Sequence, residues 1–215
     1  MFIQYLFQPE GQLLFVSVVL TVVISIVLHE LAHGWAALWQ GDDTPRTSGH
    51  MTPDPLVHMG GMSLLALVLV GIAWGMMPVN PNRFRSRYGD ALVAAAGPVM
   101  NVALALVSLT GLALWSRAVG PIEQGTGLGN LQFFLQIFGT WNIALALFNL
   151  APIPPLDGSA VLGNFSPSYK RWLGNLQKPE SLFFAYFFFM MILSSQGHGI
   201  FDVAMRATET YLRIW

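Results

Sequence analysis

The chain contains no cysteine. Disulfide scaffolds, zinc ribbons, Cys-x-x-Cys redox sites and thiol nucleophiles are therefore excluded. Charge is also scarce. Only 10% of the 215 residues are Asp, Glu, Lys or Arg, against about 25% in an ordinary soluble domain. Neither sign dominates: ten basic and eleven acidic residues leave a net charge of −1, which gives no electrostatic footprint for a nucleic-acid partner. There is no internal repeat and no polar stretch long enough to build an appended soluble core. Apolar residues make up the rest: 54% of the chain is hydrophobic, with seven Trp and fifteen Phe, and the mean hydropathy is +0.55. Such a chain is expected to be an all-α polytopic membrane protein, a single domain over residues 1–215 with the lipid bilayer as its solvent.

A spanning helix needs about 20 mostly apolar residues. Leu13 to about Trp39, Ala91 to about Trp115 and Leu131 to Leu150 qualify. Met62–Met77 is shorter and contains Gly71 and Gly75, and a fifth run, Leu182–Leu193, is short and Phe-rich. The first two dozen residues have no Lys or Arg and no small-residue cleavage site, so the first helix is expected to stay in place. Ile200–Trp215 reads as an interfacial helix or as the end of the fifth run. The polar connector 41–61 carries Pro45, Pro53 and Pro55 and is expected to form short strands, a small membrane-associated β element. Asp90 is expected to cap the third run, and Asp42, Asp43 and Asp54 to be loop residues.

The few polar residues inside the apolar runs are functional candidates, because a charge at the bilayer centre costs roughly 2.5–3.5 kcal/mol. The first run holds His29, Glu30 and His33 in LHELAH. Residues four apart lie about 40° apart on one helical face and about 6 Å apart along it. Two imidazoles so placed can share a metal ion, and Glu30 can reach a water beside it; His-Glu-x-x-His is the zinc-hydrolase arrangement. A catalytic zinc takes a third protein ligand and keeps one position open. His50, Asp54, His58, Asp90, Glu123, Asp157 and His198 can supply it. Asp157 stands out, since it follows the run ending at Leu150 within NLAPIPPLDGSAVL, where Pro152, Pro154 and Pro155 forbid a regular helix. It also fits the role of a turn residue capping the next helix.

HELAH, AAAGPVMN and NLAPIPPLDG together resemble the site-2 protease family of intramembrane zinc metalloproteases, and GDDTPRTSGHMTPDPLVHMG is similar to the loop after the first motif in short bacterial members. The resemblance runs from about Leu28 to Gly163. It implies one Zn²⁺ per chain, with His29, His33 and Asp157 as ligands, Glu30 as the catalytic residue, a role near the site for Asn149, and a membrane-embedded protein as substrate. It also implies a peptidase core over 12–163 followed by C-terminal helices over 164–215, without the PDZ or CBS domains of longer members. Where family loops often read His-Ile-Asp, this chain has His58-Met59-Gly60.

The remaining candidates are read from their surroundings. Asn149 is a candidate for catalysis, bonding substrate backbone or the developing oxyanion. Asn101, a buried amide, is open to three roles: joining helices, supporting a ligand, or binding substrate. His58, between apolar residues and a Gly-Gly pair, is a second candidate for substrate binding. An edge strand over 49–58 would hold an extended substrate.

Topology follows from the two motifs. For the ends of the first and fourth runs to share one metal, a single spanning helix must lie between them, so Met62–Met77 is expected to be a re-entrant or shallow segment. Loops 40–60, 78–90 and 151–181 then share one side and carry Arg46, Arg83, Arg85, Arg87, Lys170, Arg171 and Lys178, seven of the ten basic residues. The positive-inside rule makes that side cytoplasmic and puts the site in the cytoplasmic half of the cell membrane. A transmembrane metal transporter and a non-catalytic membrane scaffold are the rival functions. A transporter calls for polar residues spaced along a path, whereas the ionisable residues here cluster at one depth.

Overall fold

The computed structural model describes residues 1–120, 122–123, 125–175 and 199–215. A short 3-10 turn, Phe2–Phe7, leads into α1, Gln12–Gln40, which ends where Gly41 turns left-handed at φ 95° and bonds back to the Ala37 and Leu38 carbonyls. Only glycine adopts that conformation without strain, so the helix stops there. After a helical turn, α2 at Thr44–Thr47, comes α3 at Pro55–Val70. Then follow α4 at Gly89–Val119, α5 at Gly127–Asn149, α6 at Asp157–Phe165, α7 at Pro167–Asn175 and α8 at Ile200–Ile214.

Three helices are long and apolar enough to cross a membrane: α1 with 29 residues, α4 with 31 and α5 with 23. They form the core, with α4 packed against both α1 and α5. Their outer faces carry exposed Val16, Leu20, Ile24, Val102, Leu106 and Val107, the side chains a lipid-facing surface requires. Small residues let the helices approach: a Cβ on Gly139 of α5 would sit 2.5 Å from the Leu109 side chain of α4. The Ser108 hydroxyl donates to the Leu135 carbonyl at 2.7 Å across the same seam.

The segment between α1 and α4 turns back on itself. Asp54 caps α3 through the Leu56 amide at 2.8 Å, and Pro55 takes the first helical position. The helix is broken at Gly60 (φ 67°) and ends at Gly71 (φ 87°). From Ile72 to Met77 the chain returns with no helix or strand assigned. The Ser63 hydroxyl accepts from the Trp74 amide at 2.9 Å and donates to its carbonyl at 2.7 Å, and the Met76 amide donates to the His58 carbonyl at 3.0 Å. The straight part after Gly60 is about 15 Å long, half of a bilayer core. The chain after it folds back alongside it, and the C-terminal part of α1 and the turn after α5 meet at the N-terminal part of α4.

The strands expected in 41–60 do not form: no strand is present among the described residues. Pro53 and Pro55 remove the amides a strand ladder needs, and Asp54 with Pro55 starts a helix instead. Asp90 lies inside the first turn of α4 and does not cap it, the cap position being Tyr88. Asp42 is fully buried: it accepts from the Thr44 amide at 3.0 Å, from the Thr44 hydroxyl, and from the Asn80 amide at 2.6 Å. Helix α8 docks on the bundle through Thr208–Thr140 at 3.0 Å and Tyr211–Thr110 at 2.7 Å. The run Leu182–Leu193 and His198 lie outside the described residues.

Candidate active site

The site is built where α1, α4 and α6 converge. His29 and His33 sit one turn apart on the buried face of α1. The proline-containing turn after α5 delivers Asp157, the first residue of α6, to the same place. Gly158 makes that turn possible, because a Cβ there would sit 2.1 Å from the Leu150 carbonyl oxygen. His29 Nε2 lies 3.2 Å from one Asp157 oxygen, His33 Nε2 lies 3.4 Å from the other, and the two Nε2 atoms are 3.0 Å apart. All the donor atoms lie within 4.8 Å of one another.

Both rings are oriented from behind. His33 Nδ1 bonds the Val93 carbonyl of α4 at 2.7 Å. His29 Nδ1 bonds Asn101 Oδ1 at 2.6 Å. With Nδ1–H donating in each ring, both Nε2 lone pairs and a carboxylate face one point. Such a set repels itself unless a cation lies between its members. Donors about 2.0–2.2 Å from a tetrahedral zinc stand roughly 3.3 Å apart, and the three separations here bracket that value. One Asp157 oxygen is buried with no hydrogen bond, a further sign that a cation belongs there. Gly97 of α4 leaves the room: its Cβ would sit 2.5 Å from both Nε2 atoms.

Glu30 is 7% exposed and makes no hydrogen bond among the described residues. It faces Gly75 of the return segment, where a Cβ would lie 2.6 Å from Glu30 Oε1. Both residues line a cavity of about 1240 Å³, together with Asn149, Asp157, Trp74 and Lys170. Asn149, the last residue of α5, spends one amide hydrogen on the Leu145 carbonyl at 3.0 Å and keeps the other.

Of the two residues expected to touch substrate, Asn101 lines the cavity. Asn101 is 1% exposed, with Oδ1 on His29 and Nδ2 on Asn142 Oδ1 at 2.9 Å. Its amide is consumed in supporting the ring. His58 is 3% exposed, bonds the Thr52 carbonyl at 2.7 Å and does not line the cavity. Three groups were missed along the sequence: Asn142, Ser25, which bonds it at 2.9 Å, and the Val93 carbonyl. Asn142 and Ser25 carried a signal, a polar side chain inside an apolar run; a carbonyl carries none.

A donor set of two buried imidazoles and a half-buried carboxylate, beside a buried glutamate and among membrane-length helices, defines a membrane-embedded metallohydrolase. The family model of peptidase family M50 matches residues 17–193, and the chain belongs to that family. It is 30% identical over 199 residues to "Putative zinc metalloprotease YwhC" of Bacillus subtilis, covering 92% of this chain and 90% of the relative. It is 28% identical over 194 residues to "Putative zinc metalloprotease Rip2" of Mycobacterium tuberculosis, covering 87% and 70%. A shorter match, 39% over 71 residues, links it to "Putative zinc metalloprotease MJ0611" of Methanocaldococcus jannaschii, covering 33% of this chain and 31% of that protein. No solved structure matches the chain. The protein is a zinc-dependent intramembrane protease with a multi-pass helical fold.

Proposed function

We propose that His29, His33 and Asp157 hold the zinc and that Glu30 is the proton carrier for cleavage of peptide bonds in or beside the transmembrane segments of membrane proteins. The convergence of three donor atoms next to an unpaired glutamate inside a cavity carries this reading. Bound zinc supplies Lewis acidity to the scissile carbonyl and to a water. A Glu30 carboxylate oxygen would accept a proton from the water as the water oxygen bonds the scissile carbonyl carbon, and would return it to the amide nitrogen as the C–N bond breaks. The free amide hydrogen of Asn149 is available to the substrate carbonyl as charge develops on its oxygen. The unit that does this is the single domain 1–215, with its core over 12–163.

The substrate helix must unwind, since its own hydrogen bonds shield its carbonyls. The return segment Ile72–Met77 is where an extended substrate fits, in place of residues 49–58. It spends the Trp74 and Met76 amides on α3, while the backbones of Ala73 and Gly75 have no partner among the described residues and line the cavity. The basic loops beside the site support an orientation with the site in the cytoplasmic half of the bilayer.

Glu30→Gln is the direct test. It should retain zinc and helical content and lose cleavage of a membrane substrate by about 10²–10⁴-fold; cleavage at the wild-type rate would end the assignment. For orientation, the absence of native cysteine allows single-cysteine labelling. Cysteines at Ser48 and Ser86 should both react from the cytoplasmic side, and labelling from opposite sides would remove the topology.

A further inference from the structure

Asn142 of α5 is fully buried and does not line the cavity, yet a line of hydrogen bonds joins it to His29. Its Nδ2 donates to the Phe138 carbonyl at 2.8 Å and to the Ser25 hydroxyl at 2.9 Å. Its Oδ1 accepts from Asn101 Nδ2 at 2.9 Å, and Asn101 Oδ1 bonds His29 Nδ1 at 2.6 Å. The polarity of this line is forced from one end. A backbone carbonyl only accepts, so the Asn142 amide group must turn its NH₂ toward Phe138. Its oxygen then faces Asn101, which must present NH₂ to it and its own oxygen to His29. That oxygen only accepts, so His29 Nδ1 must carry a hydrogen, and the Nε2 lone pair is left facing Asp157. His33 reaches the same state in one step, from the Val93 carbonyl.

We propose that Asn142 is a positioning residue: acting through Asn101, it transmits the fixed polarity of the Phe138 carbonyl to His29 and so keeps the Nε2 lone pair available to the metal. The proposal rests on the reading of His29 as a zinc ligand. Breaking the line at Asn142 frees Asn101 to rotate and offer NH₂ to His29 Nδ1. The ring hydrogen then moves to Nε2, where it competes with the metal. Partners behind a ligating histidine are typically worth ten- to a hundred-fold in metal affinity.

The test uses the full-length protein in detergent micelles. Nitrogen-15 NMR of the histidine rings in the metal-free protein reports Nδ1 protonation, and competition with a chelating dye reports zinc affinity. In the wild type, His29 Nδ1 should be protonated. Asn142→Leu and Asn101→Leu should shift that proton partly to Nε2 and weaken zinc binding about ten- to a hundred-fold. Asn101→Asp keeps an acceptor toward His29, so it should bind zinc at least as tightly as the wild type, even though its buried charge lowers thermal stability. A role in packing alone predicts the reverse, with Asp more damaging than Leu. Wild-type affinity and Nδ1 protonation in Asn142→Leu would overturn the proposal, as would weaker zinc binding by Asn101→Asp than by Asn101→Leu. If the leucine variants do not fold, an unprotonated His29 Nδ1 in the wild type overturns it alone. His29→Ala separates the two readings: zinc binding that survives it refutes the ligand assignment, while the Nδ1 measurement still decides the relay.

Discussion

Two glycines press on the side chains of the candidate site, and their surroundings differ. Gly97 belongs to α4 and lies against His29 and His33; Gly75 belongs to the return segment and lies against Glu30. The wall around Gly97 is rigid. Both imidazoles are held at Nδ1, α4 packs on two helices, and Asn101, Asn142 and Ser25 close the seam behind them. The wall around Gly75 lies outside any helix, bonded to α3 through the Ser63 hydroxyl and the His58 carbonyl, with Ala73 packed on the α1–α3 core and Met77 buried. The residues expected to hold the metal thus lie against a packed helix, and the glutamate lies against a segment outside any helix. A binding site for an incoming chain has to be accommodating, whereas a metal site has to keep its donors in place.

Alanine at each position breaks or sharpens this contrast. Gly97→Ala should have the largest effect. Its Cβ would meet His29 Nε2 and His33 Nε2 at 2.5 Å, and neither ring can retreat without losing its Nδ1 bond. Zinc content should fall to background and cleavage with it, with the far-ultraviolet circular dichroism of the bundle retained. Full zinc occupancy in this variant would show that α4 is as compliant as the hairpin. Gly75→Ala should be milder. Its Cβ meets Glu30 Oε1 and the Ile26 Cγ2 methyl at 2.6 Å and Glu30 Cγ at 2.9 Å, but the backbone carrying it is outside any helix and is expected to shift to relieve them. Zinc should stay bound while cleavage drops about ten- to a hundred-fold, the scale of a displacement near 1 Å. Loss of zinc here would make the two walls one mechanical unit.

The same contrast explains what was legible in the sequence. The spanning helices were read from apolar length, and His29, Glu30 and His33 from one helical spacing. Asp157 was read from a proline run that no helix tolerates. All of these are properties of a single segment. Residues 72–77 belong to an apolar run that reads as continuous with α3, and only the left-handed backbone at Gly71 shows where the helix ends. The strand expected over 49–58 failed because Asp54 and Pro55 form a helix start, a local signal outweighed in the reading by the need for a substrate edge. Asn142 was passed over because its role depends on three helices being in register: Ser25 on α1, Asn101 on α4 and its own position on α5. No pattern along one helix encodes that. Resemblance to a family pointed to His29, His33 and Asp157, but the Nδ1 partners of the two imidazoles are ones that only the packed bundle brings together.

The smallest expected effect lies away from both walls, at Asp42. This residue ties the end of α1 to the segment entering α4, through Thr44 on one side and the Asn80 amide on the other. Burial would raise its carboxyl, but the bonds from the Thr44 hydroxyl and from the Asn80 and Thr44 amides, with the charge of Arg83, hold it below the ordinary carboxylate value. A carboxylate whose pKa is depressed on folding stabilises the fold above its unfolded pKa, about 3.9. That stabilisation is lost as pH falls through the lower folded value. Asp42→Asn keeps one oxygen for Thr44 and removes the second acceptor from Asn80, a loss of about 1–3 kcal/mol for a buried donor left unpaired. At neutral pH the variant should melt below the wild type while retaining zinc and cleavage, because the loop is stapled outside the donor set. Lowering the pH through the folded value, below the unfolded one, should bring the two melting curves together, since only there does the wild-type carboxyl carry a proton in the folded protein as well. A gap that stays constant with pH would mean that Asp42 acts through packing and not through its charge.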